Sequence, residues 1–132
     1  MVALDTNLLV RLLTNDDARQ AGRVQAWLEQ NASAASPAWV DHVVLCELAW
    51  VLERSYGYPR ELVRAALAAL LEQDTLRVEA PAVVRDALRL HESGSADFSD
   101  YLLAMRAAAA GYAPVLTLDK KAARTPSHQL LP

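Results

Sequence analysis

Cysteine is almost absent from this sequence: Cys46 is the only one in 132 residues. A single thiol rules out an internal disulfide, and nothing else asks for an oxidising compartment. Lysine is nearly as scarce. Of the 13 basic residues, all but the adjacent Lys120 and Lys121 are arginine. The formal net charge is −3, so the strongly basic footprint usual in nucleic-acid binders is missing. That sum does not by itself exclude a nucleic-acid partner, because an acidic cluster loaded with Mg²⁺ turns locally neutral or positive. Long apolar runs are missing too. The longest, around Val43 to Leu52, is interrupted by Glu47 and is too short to span a membrane. No basic stretch followed by an apolar one opens the chain, so no signal peptide is expected and the expected location is the cytoplasm. Internal repeats, long linkers and low-complexity tracts are also lacking; the run "RAAAAGY" reads as close helix packing.

What is there is an ordinary globular composition, 53% hydrophobic and 22% charged, in a length that suits one domain over residues 1–132 with a real core. Val2, Ala3 and Leu4 read as a short strand ending at Asp5, and Leu8 to Leu13 as a first helix. Asn15 or Asp16 is a candidate cap for a helix from Ala18 to about Gln30, with Ala21, Val24, Trp27 and Leu28 on one face. Ala34 to Ser36 suggest a second strand. Asp41 is placed to cap an apolar helix to Ser55, stopped by Gly57. Pro59 suits the first turn of a helix to about Gln73, "TLRVEA" alternates like a strand, and Pro81 opens a helix to about Ser93. After Gly94–Ser95, Asp97 starts an alanine-rich helix ending at Gly111. "PVLTLD" reads as a buried strand, Lys120 to Arg124 as a short helical turn, and the rest as an irregular tail. Apolar strands alternating with helices indicate α/β architecture around a central parallel β-sheet flanked by α-helices.

The carboxylates fall at informative places. Asp5 and Asp119 each close an apolar strand, and parallel α/β sheets bind ligands beyond the carboxyl ends of their strands. If both strands share one sheet, both acids lie on that edge; a strand-end Asp also caps helices without any further role. Glu47 has Val43, Val44, Trp50 and Val51 at its i±3 and i±4 positions, which points it into a buried stripe. A buried carboxylate needs a paired cation or a metal. Asp97 and Asp100 stand three apart at a helix start, near the positive end of its dipole. A capping box explains Asp97 well and Asp100 less well, because Asp100 abuts Tyr101, Leu102 and Leu103. None of His42, His91 and His128 pairs at zinc-ligand spacing, and surface or core-edge roles are expected for them. Cys46 reads as a small buried hydrophobe. Acids without His or Cys partners suit a hard cation, Mg²⁺ or Mn²⁺, and acid-bound Mg²⁺ commonly processes phosphate esters.

The segments "LDTNLLVRLL", "VVLCELAWVLERSYG", "ADFSDYLLAMRAAAAG" and "VLTLDKKAAR" resemble, in order and spacing, the blocks of PIN-domain ribonucleases, and among these the VapC-type toxins of bacterial toxin–antitoxin pairs. The likeness runs from about residue 2 to residue 124. It implies a PIN-like fold and Mg²⁺- or Mn²⁺-dependent endonucleolytic cleavage of structured RNA of the translation machinery, leaving a 5′-phosphate and a 3′-hydroxyl. It places the family's acids on Asp5, Glu47, Asp100 and Asp119, with Asp97 at a further position that is often acidic. Thr6 and Asn7 match the polar pair that follows the first aspartate. It also implies a homodimer and a small cognate antitoxin that covers the site. Arg11, Lys120, Lys121 and Arg124 lie near these acids in sequence and are candidates for the RNA backbone, or else a solvated helix face.

Three other readings compete. An aspartate-nucleophile phosphatase carries a second acid two residues after the first, where this chain has Asn7. A phospho-accepting receiver domain needs a mid-chain strand-end Asp, where this chain has the helical "ELVRAALAALLEQ". In the third, the acids only stabilise the fold of a binding protein.

Overall fold

The computed structural model describes residues 1–14 and 16–132, which form two compact units, Met1–Glu79 and Ala80–Pro132. In the first unit the elements run α1 (Thr6–Leu13), α2 (Ala18–Asn31), β1 (Ala38–Val40), α3 (His42–Arg54), α4 (Arg60–Leu71) and β2 (Leu76–Val78). β1 and β2 pair in parallel with Val40 opposite Val78, and Ala3 adds a parallel bridge to Trp39. The N-terminal apolar segment is thus a single bridge rather than a strand, although Leu4 N–H still donates to the Trp39 carbonyl at 2.9 Å. The helix α3–α4 crossover between parallel strands is the connection that such pairing requires. Leu9, Val40, Leu45, Leu48, Leu52 and Leu67 fill the centre of this unit with no exposed surface.

The second unit runs α5 (Pro81–Ser93), α6 (Phe98–Ala109), β3 (Val115–Thr117), a 3₁₀ turn (Ala122–Arg124) and β4 (His128–Leu130). β3 and β4 pair in parallel, Val115 opposite His128. Tyr101 is fully buried, edge-on to the rings of His91 and His128 at 6.4 and 6.3 Å. Its hydroxyl accepts from the Ala96 N–H at 3.1 Å, which ties the segment before the α6 cap to the first turn of that helix.

Element boundaries follow local chemistry closely. Asp41 Oδ1 accepts from Val43 N–H at 2.7 Å and starts α3 as expected. The cap of α2 is Asp17, whose Oδ1 accepts from Gln20 N–H at 3.0 Å; Asp16 is turned away to other partners, and Asn15 lies outside the described residues. The second strand begins after Pro37 rather than before it, and the C-terminal tail contributes β4 instead of being irregular. β3 is only half-buried, with Leu116 and Leu118 exposed, so the expectation of a buried strand there is corrected. All three histidines are buried rather than at the surface: His42 N–H donates to Glu79 Oε1 at 2.9 Å, and His128 Nδ1 is 2.9 Å from Ser127 Oγ.

Candidate active site

Asp5 stands between the Ala3 bridge and α1, where it caps the helix. Its Oδ1 accepts the Thr6 N–H at 2.7 Å, and the carboxylate is otherwise exposed. Thr6, the first residue of α1, is buried, and its Oγ1 donates to Glu47 Oε2 at 2.9 Å. This bond joins α1 to α3 across 41 residues of sequence. Asp5, Thr6, Asn7 and Glu47 line one open cavity of about 440 Å³, together with Arg11 and Tyr56.

Glu47 is not in the core. It is exposed, as are Val43 and Trp50 on the same side of the helix. α3 is apolar almost all round, so apolar neighbours at helical spacing do not identify its buried face; that face is Leu45, Leu48, Ala49 and Leu52. The desolvation argument for a metal at Glu47 therefore falls. In its place stands the cavity, with Glu47, Val51 and Ser55 at four-residue spacing along its wall.

The reading by residue type missed a polar cluster beside this cavity. Arg11 Nη1 bonds Asp16 at 3.0 Å and Tyr56 Oη at 3.3 Å, and Arg11 Nε bonds Gln20 at 2.7 Å. Tyr56 Oη donates to Asp16 Oδ2 at 2.6 Å, and Thr14 Oγ1 donates to Asp16 Oδ1 at 2.9 Å. The Tyr56 hydroxyl first, then Thr14 and the Arg11 guanidinium, hold the Asp16 carboxyl below its ordinary range. Arg11, a candidate for the RNA backbone, is thus fixed in place by an acid. The available signal was Tyr56 itself, an aromatic residue in the glycine-bounded turn that ends the Glu47 helix.

In the second unit Asp97 and Asp100 form the expected capping box of α6, with Asp97 N–H donating to Asp100 Oδ2 at 3.2 Å. Burial pushes the Asp100 carboxyl above its ordinary range. The Asp97 N–H opposes that rise, the Asp97 and Asp119 carboxylates add to it, and His128 offsets part of it. Asp119 follows β3 and is exposed. Its Oδ1 accepts the Lys121 N–H at 2.8 Å, and its own N–H donates to Thr117 Oγ1 at 3.0 Å, in the segment between β3 and the 3₁₀ turn. Lys120, Lys121 and Arg124 are exposed around that turn.

Among the described residues no three His, Cys, Asp or Glu side chains converge as a ready metal cage. The donors lining the cavity are carboxylate, hydroxyl and amide oxygens, the type that Mg²⁺ and Mn²⁺ take.

The sequence matches the PIN domain family over residues 2–127. The chain belongs to the PIN domain family. That membership sets aside the phosphatase and receiver readings and bears out the α/β fold expected from the resemblance. A curated relative, the VapC ribonuclease of Aquifex aeolicus (strain VF5), is 23% identical over 121 residues, covering 92% of this chain and 89% of that one. Among solved structures, the Mycobacterium tuberculosis VapC20 toxin, described as cleaving the sarcin–ricin loop, is 21% identical over 85% of each chain, with a TM-score of 0.46. The PIN match takes in all four acidic segments, from Asp5 to Asp119. No described helix is long and apolar enough to cross a membrane.

Proposed function

We propose that this PIN-domain protein is a divalent-metal-dependent endoribonuclease, the toxin of a toxin–antitoxin pair, folded as one PIN domain over residues 1–132. The observation that carries the reading is the Asp5–Thr6–Glu47 arrangement, an acid capping α1 and an acid on α3 linked through Thr6, which bonds Asp5 by its N–H and Glu47 by its buried hydroxyl. Membership of the family supports it, as does the VapC ribonuclease relative. The family resemblance proposes Asp5, Asp100 and Asp119 as the carboxylates that would hold Mg²⁺ or Mn²⁺, together with Glu47 and, at the margin, Asp97. Such an ion, when bound, supplies charge neutralisation at the scissile phosphate and makes a nearby water more acidic.

The chain's own residues do the rest. Thr6 occupies Glu47 Oε2 and leaves Oε1 to accept a proton from the attacking water. The water oxygen bonds to phosphorus, the bond from phosphorus to the 3′ oxygen breaks, and that oxygen takes up a proton to leave a 3′-hydroxyl and a 5′-phosphate. Asn7, exposed in the same cavity as Asp5, is proposed to support that aspartate by orienting it or contacting water at the site. Lys120, Lys121 and Arg124 offer exposed cations for its backbone. The proposed substrate is structured RNA of the translation machinery, the proposed partner a small antitoxin that covers the acids, the proposed assembly a homodimer and the proposed compartment the cytoplasm.

The test is cleavage of total cellular RNA by protein stripped of co-purified antitoxin, in Mg²⁺ and in chelator, for wild type and Asp5→Asn. Discrete fragments that need both the metal and Asp5 are expected. Equal cleavage in chelator, or by Asp5→Asn, would reject the mechanism.

A further inference from the structure

A second cavity adjoins the acids. It lies between α1 and α2, has a volume of about 500 Å³, and shares Asn7 and Arg11 with the cavity that holds Asp5 and Glu47. Its remaining wall includes Leu8, Arg23, Val24 and Trp27. Trp27 is 40% exposed, so part of its ring is open to a ligand in the cavity. Arg23 is exposed, and among the described residues it takes part in no ion pair or side-chain hydrogen bond. Arg11 is held at the shared wall by bonds to Gln20, Asp16 and Tyr56, which orient its guanidinium.

An aromatic ring, an uncommitted guanidinium and a cavity of nucleotide-binding size, continuous with a phosphodiester-cleaving site, make a recognisable combination. We infer that the α1–α2 cavity is a subsite for a single-stranded nucleotide flanking the scissile bond, with the base against Trp27 and the adjoining phosphate on Arg23. The apolar sides of Leu8 and Val24 suit the flat edge of a base, and the polar amide of Asn7 stands where the chain passes toward Asp5. The exposed Arg23 guanidinium calls for an anionic partner, which a nucleotide phosphate supplies. The inference rests on the ribonuclease reading, and it adds to that reading a requirement that the RNA be unpaired next to the cut, since a stacked and paired base cannot reach the ring.

The experiment measures binding in the absence of cleavage. A fluorescein-labelled, mixed-sequence, single-stranded 12-mer oligoribonucleotide is titrated with protein in chelator, at several salt concentrations, and read by anisotropy. Trp27→Ala is expected to weaken binding about tenfold, and Trp27→Phe to retain most of it. Arg23→Ala is expected to weaken binding and to lower the salt slope by about 0.7. The same oligonucleotide as a duplex is expected to bind all three variants and wild type alike. Unchanged affinity and slope in Arg23→Ala, with Trp27→Phe indistinguishable from a well-folded Trp27→Ala, would overturn the subsite. So would RNA binding that survives Trp27→Ala while self-association is lost, since the cavity would then meet a second copy. Should Trp27→Ala fail to fold, Arg23→Ala and the single-strand preference still decide. Failure of wild type to cleave cellular RNA in Mg²⁺ would strike the nuclease reading alone, because this binding assay needs no cleavage.

Discussion

Thr6 Oγ1 and Glu47 Oε2 lie 2.9 Å apart, a single hydrogen bond between a buried hydroxyl and an exposed carboxylate that fixes how α3 presents its acid beside Asp5. Thr6→Val keeps the volume and removes the bond. Cleavage is expected to fall roughly tenfold while the melting temperature changes little, because a net hydrogen bond is worth about 1 kcal/mol and Glu47 regains water. Thr6→Ser should restore activity. Equal activity in wild type and Thr6→Val would show that Glu47 needs no such positioning.

Asp100 separates a structural from a chemical role. Its Oδ2 takes the Asp97 N–H, which an amide oxygen can also do, and burial and neighbouring carboxylates disfavour its charge. Asp100→Asn is therefore expected to leave the melting temperature equal or higher and to abolish cleavage. A loss of stability matching the loss of activity would mean the residue serves the capping box alone.

Metal binding has a thermal signature that needs no substrate. A ligand at a hundred times its Kd stabilises the folded state by about 2.7 kcal/mol. Mg²⁺ is expected to raise the melting temperature of wild type and not of Asp5→Asn/Asp119→Asn. An identical response in both proteins would place the ion elsewhere.

The Asp16 carboxyl is held below its ordinary value, chiefly by the Tyr56 hydroxyl. A depressed folded-state value means that the group stabilises the fold at pH above the ordinary carboxylate range, and that this contribution is lost as pH falls through the folded value. Melting temperatures of wild type and Asp16→Asn should differ at neutral pH and converge on acidification below 3.8, the group's ordinary value. A gap that stays constant well below 3.8 would assign the effect to lost packing instead.

Gly94 follows α5 at a point of close approach. A Cβ there would overlap Tyr101 Oη and come within 2.7 Å of Tyr101 Cζ and 2.9 Å of the Leu90 carbonyl. Tyr101 is fully buried between two histidine rings and cannot step aside. Gly94→Ala is expected to cost about 1–3 kcal/mol in denaturant unfolding. Wild-type stability in that variant would show that the Tyr101 ring is free to shift.

Much of this molecule could be read along the chain, because helix caps and hydrophobic periods are set by residues a few positions apart. Asp5, Asp41 and Asp97 stand at the helix starts expected of them, Pro81 opens α5, and the α/β order follows from apolar strands between periodic helices. The four acids stand out in the sequence by type and position. Their surroundings do not. Glu47 was expected in the core because its helical neighbours are apolar, yet Val43 and Trp50 are exposed with it. β4 escaped notice because three residues of mixed polarity carry almost no period.

The sequence alone thus determined where elements start and stop and which carboxylates stand at their ends, since those choices are settled by neighbours within a turn or two. Only the tertiary structure decided which face of α3 turns inward, that Thr6 holds Glu47, that Arg11 is fastened to Asp16 and Tyr56, and that Trp27 and Arg23 share a cavity with Asn7. An apolar helix has several faces that could be buried, and the choice among them belongs to partners dozens of residues away.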